Sequence, residues 1–377
     1  MAALDQRPET VASLAALVGA APGEGADLQA AVTGLADDSR LVEAGQAFFA
    51  RRGSVADGTA FAEEAVARGA AVVVTERELP ARLPALLVDD VDAALIAAAD
   101  AWYGRPQDVL ALVGITGTKG KTTSSYVTAG ALRACGRKTA VIGTIEYDLG
   151  DGEPEASGNT TPGALELRRL LARARDAGCT AAVLEVSSHA LDQARTAGLE
   201  FSVGAFTNLA SDHLDYHRST EAYAEAKSKL FRGLGSGATA VLNREDPAWA
   251  RFAALCAGPV LTYGAVAEAD LRAEDVTLSL GESAFRLVTP DGASVPVRSP
   301  LVGRHNVLNL LAAIGACLAL GHDVETAARG ASAVTGVPGR LERVDAALDV
   351  TAFVDYAHTE DCLLYTSPSP RDLNPNL

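Results

Sequence analysis

Gly114-Ile-Thr-Gly-Thr-Lys-Gly-Lys-Thr-Thr123 follows the apolar run Val109-Leu-Ala-Leu-Val113 and leads into a helix-like segment from Ser124. An apolar strand, a glycine turn and a helix start together form a cradle for phosphate. Backbone N–H groups and the helix N-terminus face the anion, a Lys reaches the outer phosphates, and a Thr hydroxyl can hold Mg2+. The stretch therefore predicts a nucleoside triphosphate site. In the usual spacing a Gly occupies the position of Ile115; here Gly114 stands one place earlier, so the recognisable part is Gly117-Thr-Lys-Gly-Lys-Thr-Thr123.

Outward from this turn, strands and helices alternate. On the N-terminal side the pattern predicts a helix over Val11 to Val18. Asp37-Asp-Ser-Arg40 then leads into a strand over Gln46 to Ala50, followed by a helix over Gly58 to Arg68. Strands over Ala70 to Val74 and Ala85 to Val88 and a helix over Val91 to Trp102 complete an α/β module. Tyr103-Gly-Arg-Pro106 reads as a linker, since Gly and Pro stop the helix.

On the C-terminal side, strands are expected to end in loops at Thr116, Gly143, Glu185 and Thr207, with further strands at Ala240 to Asn243 and Pro259 to Thr262. Open α/β sheets bind ligands beyond the carboxyl ends of their strands, which is where the Gly-Lys-Thr turn, Glu185 and Asn208 fall. Alternating stretches over Asp275 to Leu280, Ala284 to Thr289 and Ser294 to Arg298 follow, with Asp291-Gly292 as a hairpin turn. Helices are expected over Asn306 to Leu320 and Val324 to Val334. Pro338-Gly-Arg340 marks a boundary before a third unit whose first strand is Val350 to Val354, and the few residues before Cys362 are too short for an independent core.

The whole chain has 377 residues, 48% of them hydrophobic and 21% charged, as in a globular protein of two or three domains. The formal charge of −16 argues against non-specific binding to nucleic acid or anionic lipid, both of which need clustered Lys and Arg. Cys135, Cys179, Cys256, Cys317 and Cys362 stand far apart with no C-x-x-C pair, which fits a reducing cytoplasm better than a disulfide framework or a zinc site. The N-terminus lacks the basic start and apolar core of a signal peptide, and no apolar run reaches ~20 residues. A cytoplasmic monomer is the expectation.

Two further clusters carry chemistry. Glu185 at a strand end, near a Thr of the phosphate turn, is a hard oxygen ligand for Mg2+, although a solvated loop carboxylate has the same appearance in sequence. Asp212-His-Leu-Asp-Tyr-His217 places His213 and His217 at i, i+4, but without H-E-x-x-H and a third ligand it does not make a zinc hydrolase.

Five segments occur in the order found in Mur ligases: Gly117-Thr-Lys-Gly-Lys-Thr-Thr123, Asn159-Thr-Thr-Pro162, Glu185-Val-Ser-Ser-His189, Thr207-Asn-Leu-Ala-Ser-Asp-His-Leu-Asp215 and Asp355-Tyr-Ala-His358. The chain resembles that family from about Asp37 to Asp361, most of all the members that add the third amino acid of the peptidoglycan stem. The resemblance implies an α/β protein. Its parts would be an N-terminal α/β domain for the UDP-substrate (1–104), a central ATP-binding domain with a mostly parallel P-loop-type sheet flanked by helices (105–337), and the remnant of a third, Rossmann-like α/β domain (338–361). Residues 362–377 show no periodicity and read as an unrelated tail.

The same resemblance implies residue roles. Gly117, Thr118, Lys119, Gly120, Lys121, Thr122 and Thr123 would bind ATP, with Lys121 on the outer phosphates, and Asn306, Arg340 and Asp355 would approach the nucleotide. Thr122, Glu185 and His213 would hold Mg2+, together with Lys227 as a carbamate, which turns an ammonium into an anionic oxygen ligand. Ser39, Asn159, Thr160, Thr161, Ser187, Gln193 and Arg195 would hold the UDP-N-acetylmuramoyl-dipeptide through hydroxyls, amides and a guanidinium suited to a carboxylate. Three positions depart from the family pattern: Lys119 replaces a common Asn, Ser54-Val-Ala56 replaces His-Gln-Ala, and Glu360 replaces Pro.

The implied activity is ATP-dependent ligation of a diamino acid, meso-diaminopimelate or L-lysine, to the D-glutamate of the dipeptide through an acyl phosphate. The family's third domain extends well beyond Asp361, so the sequence reads as C-terminally truncated, with little turnover expected from the 377-residue form. Alternatives are a folylpolyglutamate or cyanophycin synthetase type of ligase and a non-catalytic nucleotide-binding module.

Overall fold

Thr10 starts the first helix by a reciprocal cap: its hydroxyl accepts from the Ser13 N–H (3.2 Å) while the Ser13 hydroxyl accepts from the Thr10 N–H (3.0 Å). Helix α1 (Val11–Val18) ends at Gly19, whose φ of 66° supplies the left-handed stop. This is a computed structural model, and it describes residues 7–53, 56–210, 212–344 and 352–357. The expectations for the N-terminal start, for Ser54 and Val55, for His358 and Glu360 and for the tail 362–377 lie outside the described residues.

The chain forms two compact units. Met1–Pro106 with Gly163–Ala172 make up the first. After α1 come β1 (Ala21–Pro22), β2 (Gly34–Ala36), β3 (Gln46–Phe49), α2 (Ala62–Ala67), β4 (Val72–Thr75), β5 (Ala85–Leu87) and α3 (Val91–Tyr103). The sheet order is β1-β5-β4-β3-β2, parallel except for β1. Val72, Val73 and Val74 are all fully buried, as expected of a parallel strand covered on both faces. The helix expected from Gly58 opens as a 3-10 turn over Gly58–Phe61, capped by Asp57, before α2 begins. Arg168, wholly buried, is paired with Asp100, which also accepts from Arg105 Nη1 at 3.1 Å.

The second unit, Gln107–Pro162 with Arg173–Leu377, carries β6 (Ala111–Thr116), α4 (Lys121–Ala134), β7 (Thr139–Ile142), β8 (Glu146–Asp148) and β9 (Glu155–Ala156). Helix α5 (Ala164–Asp176) groups with the first unit up to Ala172. Next come β10 (Ala181–Glu185), α6 (Ser188–Asp192), β11 (Val203–Phe206), α7 (Leu214–His217), α8 (Thr220–Arg232), β12 (Thr239–Asn243), α9 (Trp249–Ala253) and β13 (Val260–Gly264). Strands β14 (Leu271–Leu278), β15 (Ser283–Val288) and β16 (Ser294–Ser299), helices α10 (Arg304–Ala319) and α11 (Val324–Ser332), and strands β17 (Glu342–Val344) and β18 (Ala352–Val354) complete it.

Its sheet runs β16-β15-β14-β13-β12-β11-β6-β10-β7-β8-β9. From β14 to β7 every neighbouring pair is parallel, and both ends are finished by antiparallel strands. The connection after β6 leads to β7 on one side, whereas the connection after β10 leads across to β11 on the other. The carboxyl end of β6 is therefore a topological switch point, where an open α/β sheet leaves a crevice. Apolar residues of α4 (Val127, Leu132), α10 (Leu310, Leu311, Ile314) and α11 (Ala327, Ala331) share a core with Val113 and Ile115 of β6.

Strand β14 begins at Leu271, four residues before the alternation that was expected to open it. A bulge between Glu274 and Thr277, with Asp275 at φ 55°, breaks the two-residue period and hides the first half of the strand. The strand expected over Val350 to Val354 is described over Ala352–Val354 and pairs antiparallel with Glu342–Val344.

Candidate active site

Gly117 and Gly120 shape the turn after β6, with φ of 151° and 84°. A Cβ on Gly117 would stand 1.9 Å from Thr207 Oγ1, and one on Gly120 would stand 2.6 Å from Asn309 Oδ1. Only glycine fits either place. Gly120 caps α4 without a side chain, and no acidic residue occupies the first turn, so the helix N-terminus keeps unused N–H groups and its positive end.

Lys121 folds back over the turn, its ammonium donating to the carbonyls of Gly117 and Thr118, both at 3.0 Å. Burial holds its pKa below the ordinary lysine value, partly offset by the Glu185 carboxylate. The Thr122 hydroxyl donates to Glu185 Oε2 at 2.9 Å. Glu185 itself is 1% exposed and accepts from the Thr144 N–H at 2.8 Å and the Thr144 hydroxyl at 3.0 Å. The carboxylate can lie there because residue 143 is glycine: a Cβ would meet Glu185 Oε1 at 2.3 Å.

The segment after β11 supports the turn from the other side. Thr118 N–H donates to the Asn208 carbonyl (2.8 Å), the Ala210 N–H donates to Thr118 Oγ1 (2.9 Å), and Thr118 Oγ1 also contacts Tyr223 Oη at 3.1 Å. Tyr223 and Lys227 share one face of α8, an i, i+4 pair. The Lys227 ammonium donates to the Gly117 carbonyl at 2.8 Å and lies 4.5 Å over the Tyr223 ring. With the side chain buried, desolvation holds Lys227 well below the ordinary lysine range, and burial pushes the Tyr223 phenol up to about 12.

Thr118 to Thr123, Glu185, His213, Asn306, Arg340 and Asp355 line a cavity of about 830 Å³, together with Asn159, Thr160, Thr161, Ser187 and Arg195. Within it Thr160 Oγ1 lies 3.1 Å from Thr144 Oγ1, and Thr161 Oγ1 donates to the Glu185 carbonyl at 2.8 Å. Arg195, expected to meet a carboxylate, donates through Nε and Nη2 to Gln193 Oε1 and through Nη1 to the Thr161 carbonyl (2.7 Å), so it braces the Thr161 loop. Gln193 is its partner. Ser39 belongs to the first unit, where its hydroxyl donates to Glu64 Oε2 at 2.8 Å and it is buried.

Of the four expected metal ligands, Thr122 and Glu185 are in contact, Lys227 holds the turn at Gly117, and His213 sits half-exposed beside Asp212. Among the described residues no group of three or more His, Cys, Asp or Glu could hold a metal ion. The donors that do meet are a buried hydroxyl and a buried carboxylate, which suit a hard cation such as Mg2+. The glycine turn, the uncapped helix and Lys121 suit phosphate.

Some of these residues carry only faint marks in the sequence. Asn309 hydrogen-bonds Asn306 Oδ1 (3.0 Å) and accepts from Ser124 (3.1 Å), and its i, i+3 spacing from Asn306 is the signal that places both on one face. Gly143 is legible only as a strand end, and Tyr223 gives no signal of its own.

Residues 115–317 match the Mur ligase middle domain, and residues 31–103 match the Mur ligase family catalytic domain. The UDP-N-acetylmuramoyl-L-alanyl-D-glutamate--2,6-diaminopimelate ligase of Geobacillus kaustophilus is 46% identical over 338 residues, covering 88% of this chain and 69% of that protein. The chain belongs to the Mur ligase family. A second such ligase, from Geobacter metallireducens, is 44% identical over 90% of this Mur ligase and 68% of its own length. A solved structure of UDP-N-acetylmuramoyl-L-alanyl-D-glutamate--2,6-diaminopimelate ligase superposes with a TM-score of 0.76 at 33% identity, covering 90% of this chain and 70% of that one. The α/β architecture expected from the sequence is thus the architecture of the family. No helix among the described residues of this Mur ligase is long and apolar enough to cross a membrane.

Proposed function

We propose that this Mur ligase joins 2,6-diaminopimelate to the D-glutamate carboxyl of UDP-N-acetylmuramoyl-L-alanyl-D-glutamate at the expense of ATP. The observation that carries the reading is the single cavity in which the phosphate turn, Glu185 and the Thr160, Ser187 and Arg195 side face one another. The names of the relatives favour diaminopimelate over lysine.

A carboxylate is a poor acyl donor, and transfer of a phosphoryl group to it supplies a leaving group that the incoming amine displaces. Lys121 would leave the Gly117 and Thr118 carbonyls to meet the outer phosphates, while the free N–H groups of α4 receive the others. Mg2+, when bound, neutralises charge on the phosphate oxygens. Thr122 and Glu185 would hold it, with His213 and the carbamate of Lys227. Burial of Lys227 favours its neutral amine, the form that adds CO2 and loses a proton to give that carbamate. Asn306, Arg340 and Asp355 would flank the nucleotide, and Asn159, Thr160, Thr161, Ser187 and Gln193 the dipeptide, with Ser39 on the uridine side. In this reading the chain acts as a cytoplasmic monomer and needs neither nucleic acid nor membrane.

The test is to incubate the protein with ATP, Mg2+, the UDP-dipeptide and either diamino acid, and to weigh the products by mass spectrometry. Any ADP and diaminopimelate-extended UDP-tripeptide formed are expected in equal amounts, at the low turnover anticipated for the 377-residue form. ATP binding that is indifferent to the UDP-dipeptide, with no extended product, would favour a non-catalytic nucleotide module instead.

A further inference from the structure

Lys119 ties the phosphate turn to the segment after β11 at four points. Its N–H donates to Asn208 Oδ1 (2.9 Å), its carbonyl accepts from Thr207 Oγ1 (2.6 Å) and Asn208 Nδ2 (3.1 Å), and its ammonium reaches Asp212 Oδ2 (3.0 Å). The first three use backbone atoms that any residue supplies. Only the fourth depends on the side chain.

Asp212 divides its oxygens. Oδ2 takes the Lys119 ammonium, and Oδ1 accepts from the His213 N–H at 3.0 Å. His213 has a φ of 53°, a left-handed conformation unusual for a residue with a side chain, at the start of the one-turn helix α7. The His213 side chain itself makes no cap hydrogen bond to that helix. The Asp212 carboxylate is thus the contact that holds this backbone from the turn side. Lys119 and Asp212 side chains are 28% and 23% exposed, so the pair is sheltered from much of the screening that weakens surface ion pairs.

We propose that Lys119 is a positioning residue for metal binding: through Asp212 its side chain fixes His213 against the phosphate turn instead of meeting phosphate itself. The proposal rests on the reading of His213 as a Mg2+ ligand. It gives the Lys at this position a purpose distinct from that of Lys121, whose ammonium reaches across the turn itself.

The test is calorimetric binding of the β,γ-methylene analogue of ATP to the 377-residue protein, in EDTA and across a Mg2+ titration. Lys119→Met and Asp212→Asn are each expected to raise the Mg2+ concentration that half-maximally strengthens binding by about tenfold, the scale on which outer contacts tune metal sites. Binding in EDTA should change by much less than the Mg2+ requirement does. The double variant should be no worse than either single one, and Lys119→Arg should restore most of the effect. A loss in Lys119→Met that is equal in EDTA and Mg2+ would overturn the proposal, because Lys119 would then meet phosphate directly; so would an unchanged Mg2+ requirement.

His213→Ala separates the two layers. If it leaves the Mg2+ requirement unmoved, the metal-ligand reading fails and the proposal with it. If it raises the requirement while Lys119→Met does not, only the positioning role fails. Should Asp212→Asn fold poorly in thermal melts, the Lys119→Met and Lys119→Arg pair decides the matter alone.

Discussion

The Thr122 hydroxyl and the Glu185 carboxylate meet at 2.9 Å, and Thr144 holds the same carboxylate from strand β7's end. Glu185→Ala leaves the buried Thr122 hydroxyl without its acceptor and is expected to cost about 1–3 kcal/mol of stability, the penalty of an unsatisfied buried donor. Glu185→Gln keeps the shape and loses the charge. Its urea midpoint should stay near that of the parent, while Mg2+-dependent nucleotide binding falls about tenfold or more.

Gly117 cannot carry a side chain, since a Cβ would lie 1.9 Å from Thr207 Oγ1 at a φ of 151°. Gly117→Ala should therefore lose about 1–3 kcal/mol to backbone strain, with a further penalty from the clash. Urea unfolding reads the loss, and titration with ATP should show binding abolished in the fraction that remains folded.

His189, His217 and His305 all have pKa values lowered from 6.5, chiefly because burial disfavours the imidazolium. Each folded-state pKa lies below the unfolded one, so the unfolded chain binds more protons just under pH 6.5. Stability is therefore fully present above that value and falls as the pH drops toward the folded-state values. His217→Gln, which can keep the bond to Ser188 Oγ now made by Nε2 at 2.9 Å, should flatten the dependence of the urea midpoint on pH below 6.5. An identical slope in parent and variant would contradict this.

In the first unit, Asp100→Ala strips the fully buried Arg168 of its paired carboxylate. Removing one partner of a buried pair is expected to cost about 3–5 kcal/mol, and replacing both, as in Arg168→Met with Asp100→Leu, to recover most of it. Denaturant unfolding of the single and double variants measures the difference.

What the sequence made legible follows from where the information is local. The Gly-Lys-Thr turn, the strand ending at Glu185 and the α3 helix depend on residues that are neighbours in the chain, and period or turn chemistry marks them. Contacts that fix the site are long-range and leave no such mark. Lys119 and Asp212, Thr118 and Tyr223, and Lys227 and Gly117 are brought together only by the β6–β11 pairing and the packing of α8. Resemblance supplied the roles of Lys227 and Arg195; the structure supplied their present partners, the Gly117 carbonyl and the Thr161 loop. The bulge at Asp275 hid the start of β14 because alternation is the signal of a half-buried antiparallel strand, and a bulge interrupts it.

The central claim is that the turn from Gly117 to Thr123 delivers a phosphoryl group to the carboxylate of the bound dipeptide. Positional isotope exchange tests it without any amine present, using ATP that carries oxygen-18 in the β–γ bridge. The account predicts scrambling of the label into the non-bridging β-positions only when UDP-N-acetylmuramoyl-L-alanyl-D-glutamate is bound, and none in Lys121→Met. No scrambling with the dipeptide bound, or equal scrambling without it, would contradict the claim.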